Sequence, residues 1–226
     1  LPEDEDSWDD LFVMFSTAAG NVRRNRLSDF TNVMANGKIA MKLNEGDALV
    51  RVRTCSEDDD VVLSTKGGKC IRFSVTDVRV FSGRTSVGVR GIRLKKNDEV
   101  IAMSIVRHNE IDTETRDAYL QAEHAYRRLH NPNADYTDRA EDKARDEELA
   151  RRMEEPAFAD LSEREEFILT VTGDGFGKRS SAYEYRTSGR GGQGITAISL
   201  DRGTGEADAD VVASFAVVDS DQVILV

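Results

Sequence analysis

Residues 61–106 read VVLSTKGGKCIRFSVTDVRVFSGRTSVGVRGIRLKKNDEVIAMSIV. An apolar run ends in the Gly67–Gly68 pair, after which Ile71, Phe73 and Val75 alternate with Arg72 and Ser74. Alternation with a period of two predicts a strand with one buried face, and Ile92 and Leu94 around Arg93 repeat it. The stretch predicts a strand, a glycine turn, a strand, a basic loop and two more short strands. It carries nine bases (Lys66, Lys69, Arg72, Arg79, Arg84, Arg90, Arg93, Lys95, Lys96) against three acids (Asp77, Asp98, Glu99), a net +6 inside a chain of net −11.

Two other stretches look like copies of it. LFVMFSTAAGNVRRNRLSDF runs from Leu11 and FILTVTGDGFGKRSSAYEY from Phe167. With Gly20, Gly68 and Gly175 in register, Arg24, Arg72 and Arg179 each follow four residues later. Asp29, Asp77 and Glu184 follow nine later, trailed by Phe30, Val78 and Tyr185. Gly37, Gly88 and Gly194 then each stand six residues before Leu43, Leu94 and Leu200. Repeats of about 45–50 residues with several short strands predict an all-β, radial, propeller-like architecture. The glycines fit tight hairpin turns that need positive φ.

Gly20 and Gly68 are 48 residues apart, but Gly68 and Gly175 are 107 apart. The excess falls in residues 107–166, where RDAYLQAEHAYRRLH places Tyr119, Ala122, Tyr126 and Leu129 on one helical face. NPNAD at 131–135 predicts a turn, and TDRAEDKARDEELARRM a second helix capped at Thr137 or Asp138. The expected layout is an acidic terminal segment at 1–10, two β repeats over 11–106, a charged helical hairpin inserted at 107–165, a third repeat at 166–221, and the start of a further one in QVILV at 222–226.

The acidity is segregated. Residues 1–10 carry six acids and no base, and residues 107–166 carry 18 acids and 10 bases, which leaves 21 bases and 18 acids for the β repeats. No apolar run approaches the roughly 20 residues of a membrane helix. The opening Leu-Pro-Glu-Asp has no Met and no signal pattern, which reads as a piece of a longer cytoplasmic protein. Cys55 and Cys70 form no C-x-x-C pair, so buried thiols are expected rather than a disulfide or zinc.

Motifs for chemistry fail on context. GRGGQG at 189–194 matches G-x-G-x-x-G, but a strand rather than a helix is expected after it. GDGFGKR at 173–179 is one residue short of a phosphate loop and has Arg179 where Ser or Thr should bind magnesium. His108, His124 and His130 lack partners at zinc spacings and read as surface residues. No nucleophile motif is present, so no catalytic residue, metal or cofactor is assigned. What remains is a basic set at repeated positions: Arg23, Arg24 and Arg26; Lys66, Lys69, Arg72, Arg84, Arg90 and Arg93; Lys178, Arg179, Arg186 and Arg190. Bases at outward strand positions can serve solubility alone. Positive charge at intervals along a curved path also suits the phosphates of DNA without reading bases.

TSVGVRGIRLKKNDEVIAM (85–103), NGKIAMKLNEGDALV (36–50) and GFGKRSSAYEYRTSGRGGQGI (175–195) resemble the C-terminal domain of the DNA gyrase A protein. The likeness covers nearly all of 11–106 and 166–226 and leaves out 107–165. It implies a β-pinwheel, a disc of blades whose basic rim wraps double-stranded DNA so that strand passage yields negative supercoils. It also implies partners, the rest of the gyrase A protein and the gyrase B protein, in an ATP-dependent type II topoisomerase whose ATP, magnesium and catalytic tyrosine lie elsewhere. Members carry a wrapping box, Q-R-R-G-G-K-G, in the first blade. Here only Ser188 to Gly194, SGRGGQG, approaches it, which implies that the true box lies upstream of Leu1. The alternatives are the corresponding domain of topoisomerase IV, which lacks the box, and a propeller-like platform whose acidic helices bind a protein partner.

Overall fold

The computed structural model describes residues 5–31, 36–37, 39–131, 140–201, 209–218 and 220–223. Its strands in chain order are β1 (Phe12–Thr17), β2 (Asn21–Arg26), β3 (Leu49–Cys55), β4 (Asp59–Thr65), β5 (Lys69–Ser74), β6 (Val89–Arg90), β7 (Val100–Arg107), β8 (Phe167–Thr172), β9 (Gly177–Ser181), β10 (Ile195–Thr196) and β11 (Val211–Val217). Gly20, Gly68 and Gly175, at φ +80°, +75° and +86°, turn the three hairpins β1–β2, β4–β5 and β8–β9. A third strand pairs antiparallel on the far side of each hairpin's first strand, giving β3-β1-β2, β7-β4-β5 and β11-β8-β9. The register slips at Ser16/Thr17, Ser64/Thr65 and Val211/Ala213, so each sheet has an irregularity beside its hairpin turn.

The turns are held by equivalent groups. Thr17 Oγ1 accepts from Asn21 N at 3.3 Å, and Thr65 Oγ1 from Lys69 N at 3.2 Å. Asp47 takes the amides of Ala19 and Ala48, each at 2.9 Å, and Asp98 those of Gly67 at 2.8 Å and Glu99 at 2.9 Å. A short polar side chain ahead of the third strand thus satisfies turn amides that no ladder reaches.

Each of the first two sheets is closed by a strand from further along the chain. Strand β6 pairs with β2, and β10 with β5, giving the orders β3-β1-β2-β6 and β10-β5-β4-β7. The same hydrogen bonds recur on both sides of this exchange. Phe81 N donates to Arg24 O at 2.8 Å as Ser188 N does to Arg72 O at 2.9 Å. Gly91 N donates to Gly20 O at 2.8 Å as Ala197 N does to Gly68 O at 2.9 Å. Val100 N reaches Ala18 O and Val211 N reaches Lys66 O, both at 2.9 Å. Successive repeats are therefore interlocked through backbone.

Between the first two sheets lies the main core, where Phe12, Met14, Val22, Val61, Leu63, Ile71, Phe73 and Ile92 are buried together with Cys55. Full burial of each such aliphatic or aromatic side chain contributes about 1.5–3 kcal/mol. A second cluster of Val13, Phe15, Leu27 and Met41 covers the other face of β1, with Trp8 and Phe30 against it. Ser64, Ser214 and Thr170 link the second and third sheets through buried hydroxyls, at 3.0 Å from Ser64 to Ser214 and 3.3 Å from Thr170 to Ser214.

Asn109–Glu166 with Ser181–Glu184 forms a separate compact unit. It holds α1 (Thr113–His130), α2 (Ala140–Arg151) and α3 (Pro156–Glu163), so among the described residues the expected hairpin is corrected to three helices. Asp112 caps α1 by accepting from Thr115 N at 2.9 Å, and Pro156 opens α3 where a missing N–H costs nothing. The buried residues of α1 are Tyr119, Ala122, Glu123 and Ala125, whereas Tyr126 is half exposed and stacks on His130 at 4.1 Å. Tyr119 packs edge-on against Phe158 and Tyr183, each at 5.6 Å. Arg128 holds Asp146 of α2 through two bonds of 2.9 and 2.6 Å. The turn at 132–135, the caps at Thr137 and Asp138, and most of 222–226 fall outside the described residues; Gln222 and Val223 are not in a strand.

The helical unit contains a proton-binding cluster. Burial, helped by the charge of Glu123, raises the Glu165 carboxyl, to which Tyr119 donates at 2.9 Å. His124 is raised above 6.5, first by its bond to Glu184. Both groups bind protons more tightly in the folded unit than in the unfolded chain, so the stability these two contribute is greatest at low pH. Their contribution falls as pH rises above 4.5 and Glu165 is forced to ionise, and again above 6.5 as His124 loses its charge. Hydrogen exchange of the α1 and α3 amides, corrected for intrinsic rates, is expected to show weaker protection at about pH 8 than at about pH 5. Equal protection would remove this linkage.

Candidate nucleic-acid interface

The arginine that recurs once per repeat stands on the second strand of each hairpin, twelve residues after Phe12, Asp60 and Phe167 in turn. Arg24 lies over the Phe12 ring and Arg179 over the Phe167 ring, both at 4.5 Å, while Arg72 Nε donates to Asp60 at 2.7 Å. In the first two repeats this residue is inside the fold: Arg24 and Arg72 are 5% and 4% exposed. Arg24 also pairs with Glu57 at 3.4 Å, and Arg72 Nη2 donates to Arg107 O at 2.9 Å. Asp60, fully buried, lies 2.8 Å from His108 Nδ1 and accepts from Thr187 Oγ1 at 3.3 Å. His108 is thus a partner of this network rather than a plain surface residue. Arg23 is buried as well, donating to Asn25 and to Ser86 O. The expectation that Arg23, Arg24 and Arg72 line an outer stripe is corrected in one respect: all three side chains are buried, because both faces of β2 and β5 are covered.

Other members of the set bind neighbouring segments. Lys66 lies between Asp210 at 3.3 Å and Glu99 at 3.9 Å, and Lys69 Nζ donates to Thr196 Oγ1 at 2.8 Å. Arg190 donates to Arg90 O at 2.5 Å and to Asp77 O at 3.2 Å. The Ser188–Gly194 loop is further tied by Gly191 N to Gly91 O at 2.7 Å and Arg93 N to Gly192 O at 2.8 Å. As expected, no helix follows this loop; β10 does. Arg84 is half-buried.

Arg26, Arg90, Arg93, Lys178, Arg179 and Arg186 are exposed. To these the structure adds Lys42, Arg51, Arg53, Arg79, Lys95, Lys96 and Arg107, all exposed. Arg51 and Arg53 matter because β3 is an outer strand of its sheet. The signal for them is the V-R-V-R alternation of LVRVRTC, which lies outside the best-aligned part of the repeats. Exposed cations on strands and loops of one unit can meet phosphate oxygens, whereas the buried Arg24 and Arg72 are already paired with Glu57 and Asp60. Burial pushes the Cys55 and Cys70 thiols up to about 12, so neither is a nucleophile at neutral pH. Among the described residues no group of three His, Cys, Asp or Glu could hold a metal ion, and no helix is long and apolar enough to cross a membrane.

Interlocked four-stranded sheets in tandem, with bases on outer strands and loops, define a propeller-type repeat domain. The family model described as DNA gyrase C-terminal domain, beta-propeller, matches residues 12–56, 59–107 and 166–218, one match for each repeat. The chain belongs to this family. It is 50% identical over 231 residues to the DNA gyrase A protein of Granulibacter bethesdensis, covering all of this chain and 24% of that protein. It is 44% identical over 205 residues to the DNA gyrase A protein of Rickettsia bellii, covering 91% of this chain and 22% of that one. The chain therefore spans about a quarter of the length of the curated relatives it matches. Among solved structures, the C-terminal domain of DNA topoisomerase IV aligns with a TM-score of 0.63 at 15% identity, over 93% of this chain and 47% of that one. The E. coli ParC C-terminal domain aligns at 0.53 and 12%, over 92% and 62%. These two likenesses show the fold alone.

Proposed function

We propose that this chain is the DNA-wrapping part of a gyrase A protein, and that its exposed bases bind the backbone of double-stranded DNA and bend it to support negative supercoiling. The reading rests on the family membership together with one observation: bases are exposed on outer strand β3 and on the loops that carry β6 and β10. The gyrase reading is favoured over topoisomerase IV because relatives at 50% and 44% identity are gyrase A proteins. In this reading the chain works in the cytoplasm and contributes no catalytic residue. The rest of the gyrase A protein cuts DNA, and the gyrase B protein supplies ATP hydrolysis with its magnesium.

Bending a 20–30 bp site by 40–90° costs on the order of 1–6 kcal/mol, which contacts along an arc must offset. Each phosphate neutralised steepens the fall of log K with log salt by about 0.9. Binding to a duplex of about 40 bp is therefore expected to be sequence-tolerant and strongly salt-dependent. The double substitution Arg51→Gln with Arg53→Gln, on an exposed strand face, is expected to lower that slope by about 2 and weaken binding to all sequences alike. Salt-independent binding, or none at low salt, would overturn the proposal.

A further inference from the structure

Arg23 and Arg79 lie over the Phe81 ring and Arg84 follows it by three residues, and among the described residues their acceptors are too few. Arg23 is fully buried; its Nε donates to Asn25 Oδ1 at 2.9 Å and its Nη1 to Ser86 O at 2.8 Å, and among the described residues its Nη2 has no acceptor. Two residues before Ser86, the buried Nη1 of Arg84 also lacks an acceptor among the described residues, and the Ser86 hydroxyl lacks a partner among them. Arg79 lies over the Phe81 ring at 3.9 Å and Arg23 over the same ring at 5.2 Å. Asn25 Nδ2 fixes the loop by donating to Phe81 O at 2.6 Å and Gly83 O at 3.4 Å. Among the described residues, the one carboxylate whose charge reaches Arg23 is Asp29, which Asn25 Nδ2 meets at 3.3 Å. Burial, then Arg79 and Arg84, lowers the Arg23 pKa, and Asp29 opposes them.

The repeat shows that the fold does not need this cluster. At the positions of Arg23 and Asn25, counted from the hairpin glycine, the second repeat has Ile71 and Phe73, both buried in the main core. Apolar side chains meet the packing requirement there without stranded donors. Crowded guanidinium groups with unused N–H bonds suit a tetrahedral oxyanion, which accepts from several forks at once. We propose that Arg23, Arg79, Arg84 and Ser86 form a seat for a phosphate group. Its source is either inorganic phosphate or the backbone of bound DNA, and only the second rests on the function proposed above.

The test titrates the chain with inorganic phosphate at constant ionic strength, chloride replacing it in the control. Saturable binding is expected, weakened about tenfold or more by Arg84→Gln and by Arg79→Gln and unchanged by Lys143→Gln on the helical unit. Arg79 and Lys143 are exposed, so their variants fold. Phosphate acting no differently from chloride, or binding equally to the Arg79 and Arg84 variants, would overturn the seat. If phosphate also competes with duplex DNA, and competes less in Arg84→Gln, the DNA backbone is the source. If phosphate saturates but DNA affinity ignores Arg84, free phosphate is the ligand. A chain that binds phosphate through these residues and no DNA would keep the seat and sink the DNA reading.

Discussion

Gly88→Ala is expected to lose about 3 kcal/mol or more of stability, enough to unfold a marginal domain. Gly88 sits at φ +83°, and a Cβ there would meet Val22 O at 2.2 Å, Val22 C at 2.9 Å and Arg23 Cβ at 3.0 Å. The left-handed backbone alone costs an alanine about 1–2 kcal/mol. The clash adds about 1–3 kcal/mol, because the obstacle is the backbone of β2 and yields only if the β2–β6 pairing opens. Gly194→Ala should behave alike, since its Cβ would come within 2.2 Å of Cys70 O. Gly175 provides the comparison, at φ +86° with nothing within 4 Å, so Gly175→Ala should lose only the backbone part. Denaturant melts of the three variants separate the two costs. Equal losses at Gly88 and Gly175 would show that close approach is not what the glycine serves.

Asp60→Ala is expected to cost about 3–5 kcal/mol, because it leaves the Arg72 guanidinium buried without its carboxylate. The Arg72 and Asp60 side chains are 3% and 0% exposed, so water cannot take over the pairing. The loss should also free His108 and Thr187, both of which reach Asp60. Adding Arg72→Met to Asp60→Leu should recover much of the stability, since apolar groups of similar size strand no charge. A double-mutant cycle with Arg72→Met and Asp60→Ala is expected to give strong coupling. Additive losses would mean that the two side chains act separately. The DNA consequence is distinct: Arg72→Met alone should lower stability more than it alters the salt slope, unlike the exposed Arg51 and Arg53 pair.

The repeat architecture was legible because it rests on hairpin glycines and strand alternation, both of which are local. Gly20, Gly68 and Gly175 turn the hairpins that their register predicts. The direction of the basic side chains was not legible. Arg72 alternates with Ile71 and Phe73 and so reads as outward, but that outward face is covered by the segment carrying Thr187. An arginine in alternation shows a second face, not whether the next repeat lies on it. The closing strands β6 and β10 are two residues each, too short for any periodicity. Helix α3 has eight residues, PAFADLSE, and its two large buried side chains, Phe158 and Leu161, are too few for a helical period to show.

The exchange of closing strands has a consequence for how the chain folds. The first sheet closes when Val89 reaches Val22, 67 residues on, and the second when Ile195 reaches Cys70, 125 residues on. The helices lie inside the second of these loops. Loop-closure entropy grows only with the logarithm of length, so nearly doubling the loop costs about 0.6 kcal/mol. Helices formed within the loop shorten its effective length and reduce even that. An insertion of this size between β7 and β8 is thus almost free in stability, but it delays closure. During synthesis the edge of β5 waits for residues beyond the helices, and the second sheet should be the last of the two to gain protection.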